Sequence, residues 1–107
     1  MLVYRVENKH GEGPYVSGAA RLLYSHDCSD SHPAIYRDGV DMYGRDVRCG
    51  CVSLEALENW FGEYLPSLRN MGYSVVEYSV LDSKVLVGKS GVQCAFDRHY
   101  ASKVLDE

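Results

Sequence analysis

Between Val47 and Leu68 the spacing of apolar residues changes once. Val47, Cys49 and Cys51 alternate with polar or small residues, as on a strand with one face buried, and the period then lengthens. Leu54, Leu57, Trp60, Phe61, Tyr64, Leu65 and Leu68 recur at threes and fours, with Glu55, Glu58, Asn59 and Glu63 on the other side. The pattern predicts an amphipathic helix over 54–68. Ser53 stands at the change of period as its N-cap, with Glu55 in the positive first turn, although Ala56 denies it the reciprocal half of a capping box. Pro66 predicts a kink or restart, and Asn70 to Gly72 the end.

The same alternation marks strands on either side. In Leu2 to Glu7, Leu2, Tyr4 and Val6 fall on one face and Val3, Arg5 and Glu7 on the other. Tyr73 to Val80 and Lys84 to Val87 follow the helix, joined through a turn at Leu81 to Ser83, and Gly88 to Gly91 links the second run to a last strand, Val92 to Asp97. On that strand Val92, Cys94 and Phe96 are expected to pack one way and Gln93, Ala95 and Asp97 the other. Ala101 to Leu105 reads as a short terminal helix or an edge segment, and Ala19 to Tyr24 as a short helix. Residues 25–46 are polar and punctuated by Pro33, Gly39 and Gly44, which predicts a long loop or insert. The fold class is therefore α/β in the α+β sense: a small, mostly antiparallel sheet with one main amphipathic helix packed on it. At 107 residues this is one domain over 1–107, and 46% apolar with 24% charged residues places it among globular chains.

A net charge of −4 removes general nucleic-acid binding from the expected activities, because that binding needs clustered Lys and Arg. The N-terminus has no basic region followed by a long apolar core, and no run reaches transmembrane length, so the expectation is a cytoplasmic protein without a membrane partner. Nine tyrosines against two phenylalanines favour recognition surfaces, with a protein partner or a second copy of the chain in view. Cys28, Cys49, Cys51 and Cys94 read first as buried free thiols, ahead of a metal set, since Cys49 and Cys51 face the same way on one strand.

Candidate chemistry is dispersed. Arg5 sits on a strand close to Gly11 to Tyr15, GEGPY, where its fork of donors suits a phosphate or carboxylate, or belongs simply to a polar, solvent-facing side of the strand with Glu7. Tyr15 offers a stacking ring, or GEGPY is a plain turn, and His32 before Pro33 is a group to orient a substrate or close a pocket, or an exposed or locally hydrogen-bonded histidine. His26 and His32 flank Cys28 without a metal-ligand spacing, and GKSG at 88–91 lacks the rest of a phosphate-binding loop.

The series YRVEN, GPY, SLEALENWF, GYSVVEYSV and GVQCAFD resembles a group of short uncharacterised proteins encoded by phages and prophages. More distantly, the arrangement resembles the ADP-ribosyltransferase fold of the Arg-Ser-Glu type. That second resemblance implies NAD as cofactor, with Arg5 on its phosphates, Ser53 at the ribose, Tyr15 as a nicotinamide neighbour, and Gln93 or Asp97 where the family carries Glu; His32 is a further cofactor-binding candidate. Gln is neutral and Asp shorter, so the charge that would face an oxocarbenium-like ribose is weakened. The first resemblance implies an accessory protein that binds and inhibits or modifies a host protein, as an anti-defence factor such as an anti-CRISPR would, in the host cytoplasm. The alternative is a small transferase of ADP-ribose from NAD to a macromolecule, and a plain interaction module without a cleft is a third reading.

Overall fold

The computed structural model describes residues 1–14 and 47–106. The expected helix at Ala19 to Tyr24, the insert 25–46, and Tyr15, His26, Cys28 and His32 lie outside the described residues.

Among the described residues six strands form one sheet: β1 (Leu2–Glu7), β2 (Val47–Cys51), β3 (Ser74–Val80), β4 (Val85–Val87), β5 (Gln93–Asp97) and β6 (Ala101–Asp106). Their order across the sheet is β4-β5-β2-β1-β3-β6, and every neighbouring pair is antiparallel. The ambiguous segment after Tyr100 is thus a strand at the sheet's edge, where pairing with β3 decides what a five-residue pattern leaves open. A bulge interrupts that pairing at Glu77/Tyr78, and the opposite edge, β4, is only three residues long. Both devices discourage further strands from adding. No helix among the described residues is long and apolar enough to cross a membrane.

The helical stretch begins as its cap predicts. Ser53 is extended, its Oγ accepts from the Ala56 amide at 3.0 Å, and α1 (Leu54–Phe61) follows. It does not run unbroken to Leu68. Gly62 takes φ 52° and closes α1, a 3-10 turn covers Gly62–Tyr64, and α2 (Leu65–Asn70) carries the chain on. The break falls four residues before Pro66 because a left-handed residue ends a helix, whereas a proline in the first turn of α2 gives up an amide that has no helical acceptor there.

Both helices lie on one face of the sheet. Leu57, Trp60, Phe61 and Leu68 pack there with Val6, Cys51, Tyr73 and Val75, so the apolar stripe read from the sequence is the buried one. The reverse face holds Val3, Val76, Tyr78, Val80, Cys94 and Phe96, with the Tyr78 and Phe96 rings tilted at 5.5 Å between centroids. Val92 departs from expectation. It precedes β5, receives the Val52 amide at its carbonyl, and packs with the helix-side cluster, while Cys94 and Phe96 join the reverse one.

Candidate functional site

Arg5 and Glu7 are the residues in which sequence and structure differ most. Two charged groups alternating with Tyr4 and Val6 read as the wet side of β1 or as a ligand clamp, yet they are only 5% and 3% exposed. β1 is an interior strand, between β2 and β3, and both of its faces are covered. Burial of two charges is tolerable only when each finds partners, and here each does.

The Arg5 guanidinium spreads over four acceptors, the weakest being Cys49 Sγ, 3.8 Å from Nη1. Nε donates to Glu7 Oε1 at 3.3 Å, Nη1 to the Cys49 carbonyl at 2.8 Å, and Nη2 to the Gly11 carbonyl at 3.2 Å. The turn after β1 places Gly11: the Asn8 side chain accepts from the amides of His10 and Glu12, and the Asn8 amide donates to the Glu12 carbonyl. Gly13 then lies so close that a Cβ would stand 3.2 Å from Arg5 Nη2. Gly13 of GEGPY therefore makes room for this chain's own arginine.

Glu7 is held from several directions. Tyr78 donates its hydroxyl to Glu7 Oε1 at 2.7 Å, and Lys103 Nζ stands 4.0 Å from Oε2. Arg98 lies over the Tyr78 ring at 4.8 Å from its centroid. Burial, followed by the bond to the Glu7 carboxylate, pushes the Tyr78 hydroxyl above its ordinary value, so at neutral pH it is a proton donor. The group is a buried arginine-carboxylate-phenol network edged by Lys103 and Arg98. Its sequence signal was present in opposite charges two apart on a strand, but a tyrosine more than seventy residues away completes it.

The other candidates occupy different places. Ser53 Oγ is engaged at the head of α1. Asp97 accepts from the His99 amide at 3.0 Å and caps the 3-10 turn Arg98–Tyr100. Gln93 is buried and pairs in register with Cys51, whose side chain belongs to the helix-side cluster, whereas Arg5 lies with Glu7 and Tyr78 on the reverse face. β2 also separates β5 from β1. Arg5 and Gln93 thus point to opposite faces of the sheet and are not brought together. Tyr15 and His32 lie outside the described residues.

Among the described residues no group of His, Cys, Asp and Glu is arranged to hold a metal ion. Cys51 and Cys94 are buried free thiols, each pushed up to about 12 by burial and then by neighbouring thiols, and Cys49 is half-buried. Held as neutral thiols, Cys51 and Cys94 are poor nucleophiles.

The model of the Bacteriophage T4 Y00F protein family matches residues 1–107. The chain belongs to that family. The Y00F assignment shows the resemblance to phage-encoded proteins, and nothing in the comparisons supports an ADP-ribosyltransferase fold. No curated protein and no solved structure matches the chain.

Proposed function

We propose that this phage-family protein acts by binding a host protein in the host cytoplasm and inhibiting or altering it, as an anti-defence factor does. The observation that carries the reading is the division of labour in α1. Trp60 and Phe61 are committed to the core, and Glu55, Glu58 and Glu63 stand exposed on the outer side of the helical segment. A rigid acidic surface on a chain of net charge −4 complements the basic grooves with which proteins grip nucleic acid. The engagement of Arg5 by internal acceptors supports surface binding over a diphosphate clamp, since a ligand phosphate would have to displace the Cys49 and Gly11 carbonyls.

The test is affinity capture from the phage's host after nucleic acid has been digested. A stoichiometric protein partner is expected, and the triple change Glu55→Lys, Glu58→Lys, Glu63→Lys should slow association and flatten its salt dependence while leaving the fold intact. Failure to recover a partner after crosslinking in that host rejects the reading. Saturable NAD binding that shifts the Arg5 resonances would reinstate the transferase alternative.

A further inference from the structure

The six-stranded sheet is not laced evenly. β1 is in register with β3 at every position from Leu2 to Glu7, and β2 with β5 from Val47 to Cys51. Between β1 and β2 the register consists of Tyr4 opposite Cys51 alone. The sheet is therefore two three-stranded ribbons, β1-β3-β6 and β2-β5-β4, joined along one seam.

At the crossing the backbones nearly touch. A Cβ on Gly50 would stand 2.6 Å from Val3 Cγ1 and 2.9 Å from the Tyr4 carbonyl oxygen, so only glycine fits without a shift. Beyond it, toward Glu7, the strand pairing stops and a side chain takes its place: Arg5 reaches from β1 to the Cys49 carbonyl on β2. Glu7, with Tyr78 behind it on β3, holds the guanidinium at that angle. A ladder resists separation through many parallel bonds, while among the described residues this part of the seam is spanned by the Arg5 guanidinium, which reaches the carbonyl and the Sγ of Cys49.

We infer that the β1–β2 seam is the line along which this sheet opens short of global unfolding, and that the Arg5 guanidinium is the clasp that holds it shut. Sub-global opening follows the boundaries that the fewest bonds cross. The helix-side cluster spans the seam, since Val6 of β1 and Cys51 of β2 both pack in it with Leu57, so opening also has to part these apolar contacts.

Two native thiols report on the seam. Cys51 is the β2 residue at the single point of pairing, and Cys94 lies one strand away, opposite Gly50 within the continuous β2–β5 ladder. Both are closed to reagents in the folded protein, being 5% and 0% exposed and held as neutral thiols. The full chain would be labelled under native conditions with a thiol reagent across a urea series, with each cysteine's rate resolved by mass spectrometry.

The expected result is Cys51 reacting at least about tenfold faster than Cys94, with a weaker, nonzero urea dependence, because part of the structure opens around one and all of it around the other. Arg5→Lys keeps the charge and loses the fork, so it should raise the Cys51 rate about tenfold or more, the scale of one charge-assisted bond, and move Cys94 little. Equal rates with equal urea dependence in the unaltered protein overturn the seam, as does Cys51 labelling independent of urea, which would mean direct access. A faster Cys51 that Arg5→Lys leaves unchanged overturns the clasp. If Arg5→Lys fails to fold, the comparison within the unaltered chain still decides the seam.

Discussion

On the side of the sheet that faces α1 and α2, the buried residues Val6, Cys51, Leu57, Trp60, Phe61, Leu68, Tyr73 and Val75 form an apolar cluster. The buried polar side chain placed on that side by register, Gln93, is neutral. On the reverse side Val3, Val76, Tyr78, Val80, Cys94 and Phe96 share their face with Arg5 and Glu7. The first face is held by area removed from water, which is non-directional. The second must also satisfy fixed donors and acceptors, which is directional and fails abruptly when one member is lost. Equal burial along a strand thus conceals two kinds of stability.

The strongest way to break this comparison is to delete one anchor from each face. Trp60→Ala should cost on the order of 3–5 kcal/mol in equilibrium unfolding through lost area and the cavity left behind. Glu7→Ala should cost a similar ~3–5 kcal/mol for a different reason, leaving Arg5 buried without its counter-charge. The two differ in repair. Combining Arg5→Met, Glu7→Leu and Tyr78→Phe should recover part of the loss, because no buried charge then remains unpaired although the Cys49 and Gly11 carbonyls lose their donor, whereas no change among the charged residues should repair Trp60→Ala. A triple variant no more stable than Glu7→Ala would show that the network supplies net stability of its own.

A further effect, graded with pH, comes from the thiol on each face. Cys51 and Cys94 are raised in the folded protein from 9.0 to about 12. Below about pH 9 folded and unfolded chains both keep these protons, and stability is unaffected. As pH rises further the unfolded chain ionises first, so stability should fall by about 1.4 kcal/mol per pH unit for each thiol until the folded pKa is reached. Urea melts from about pH 8 to 11 should show this loss, and Cys51→Ala and Cys94→Ala should each remove part of the slope. Tyr78, raised above 10.0, adds an alkaline loss on the reverse face that Tyr78→Phe removes. A flat profile would mean that these groups are wetter than their burial implies.

The smallest expected effect belongs to the helix side. Ser53→Ala removes the oxygen that accepts the Ala56 amide and should cost about 1 kcal/mol. Its value to the comparison is that Ser53→Asp should restore the loss, since a cap needs an acceptor, while no single substitution for Glu7 can accept from both Arg5 and Tyr78 and also keep the charge except Asp, which is too short to span them in place. Loss of host-protein binding in Ser53→Ala without loss of stability would instead place that hydroxyl at the interface.

What the sequence by itself determined was local. The change of period at Ser53 marked where strand becomes helix, the stripe from Leu54 to Leu68 marked which side of that helix is buried, and the alternations marked the strands of an α+β fold. These follow from backbone geometry that repeats every few residues, so a short window contains the cause. Even there the break at Gly62 was not foreseen, because a glycine's φ is not written in its neighbours, whereas the restart expected at Pro66 is the first turn of α2.

Only the tertiary structure decided that β1 is interior, and every revision of the site follows from that. An edge strand with Arg5 and Glu7 on one face would have a wet side; an interior strand covered on both faces must satisfy those charges internally. The Cys49 carbonyl and the Tyr78 hydroxyl are near Arg5 and Glu7 only through strand order, while the turn after β1 brings the Gly11 carbonyl. Strand order likewise put β2 between Arg5 and Gln93 and turned them to opposite faces. Pairing partners are chosen by the packing of whole surfaces rather than by any residue's own preference, and that choice is not encoded within reach of a local pattern.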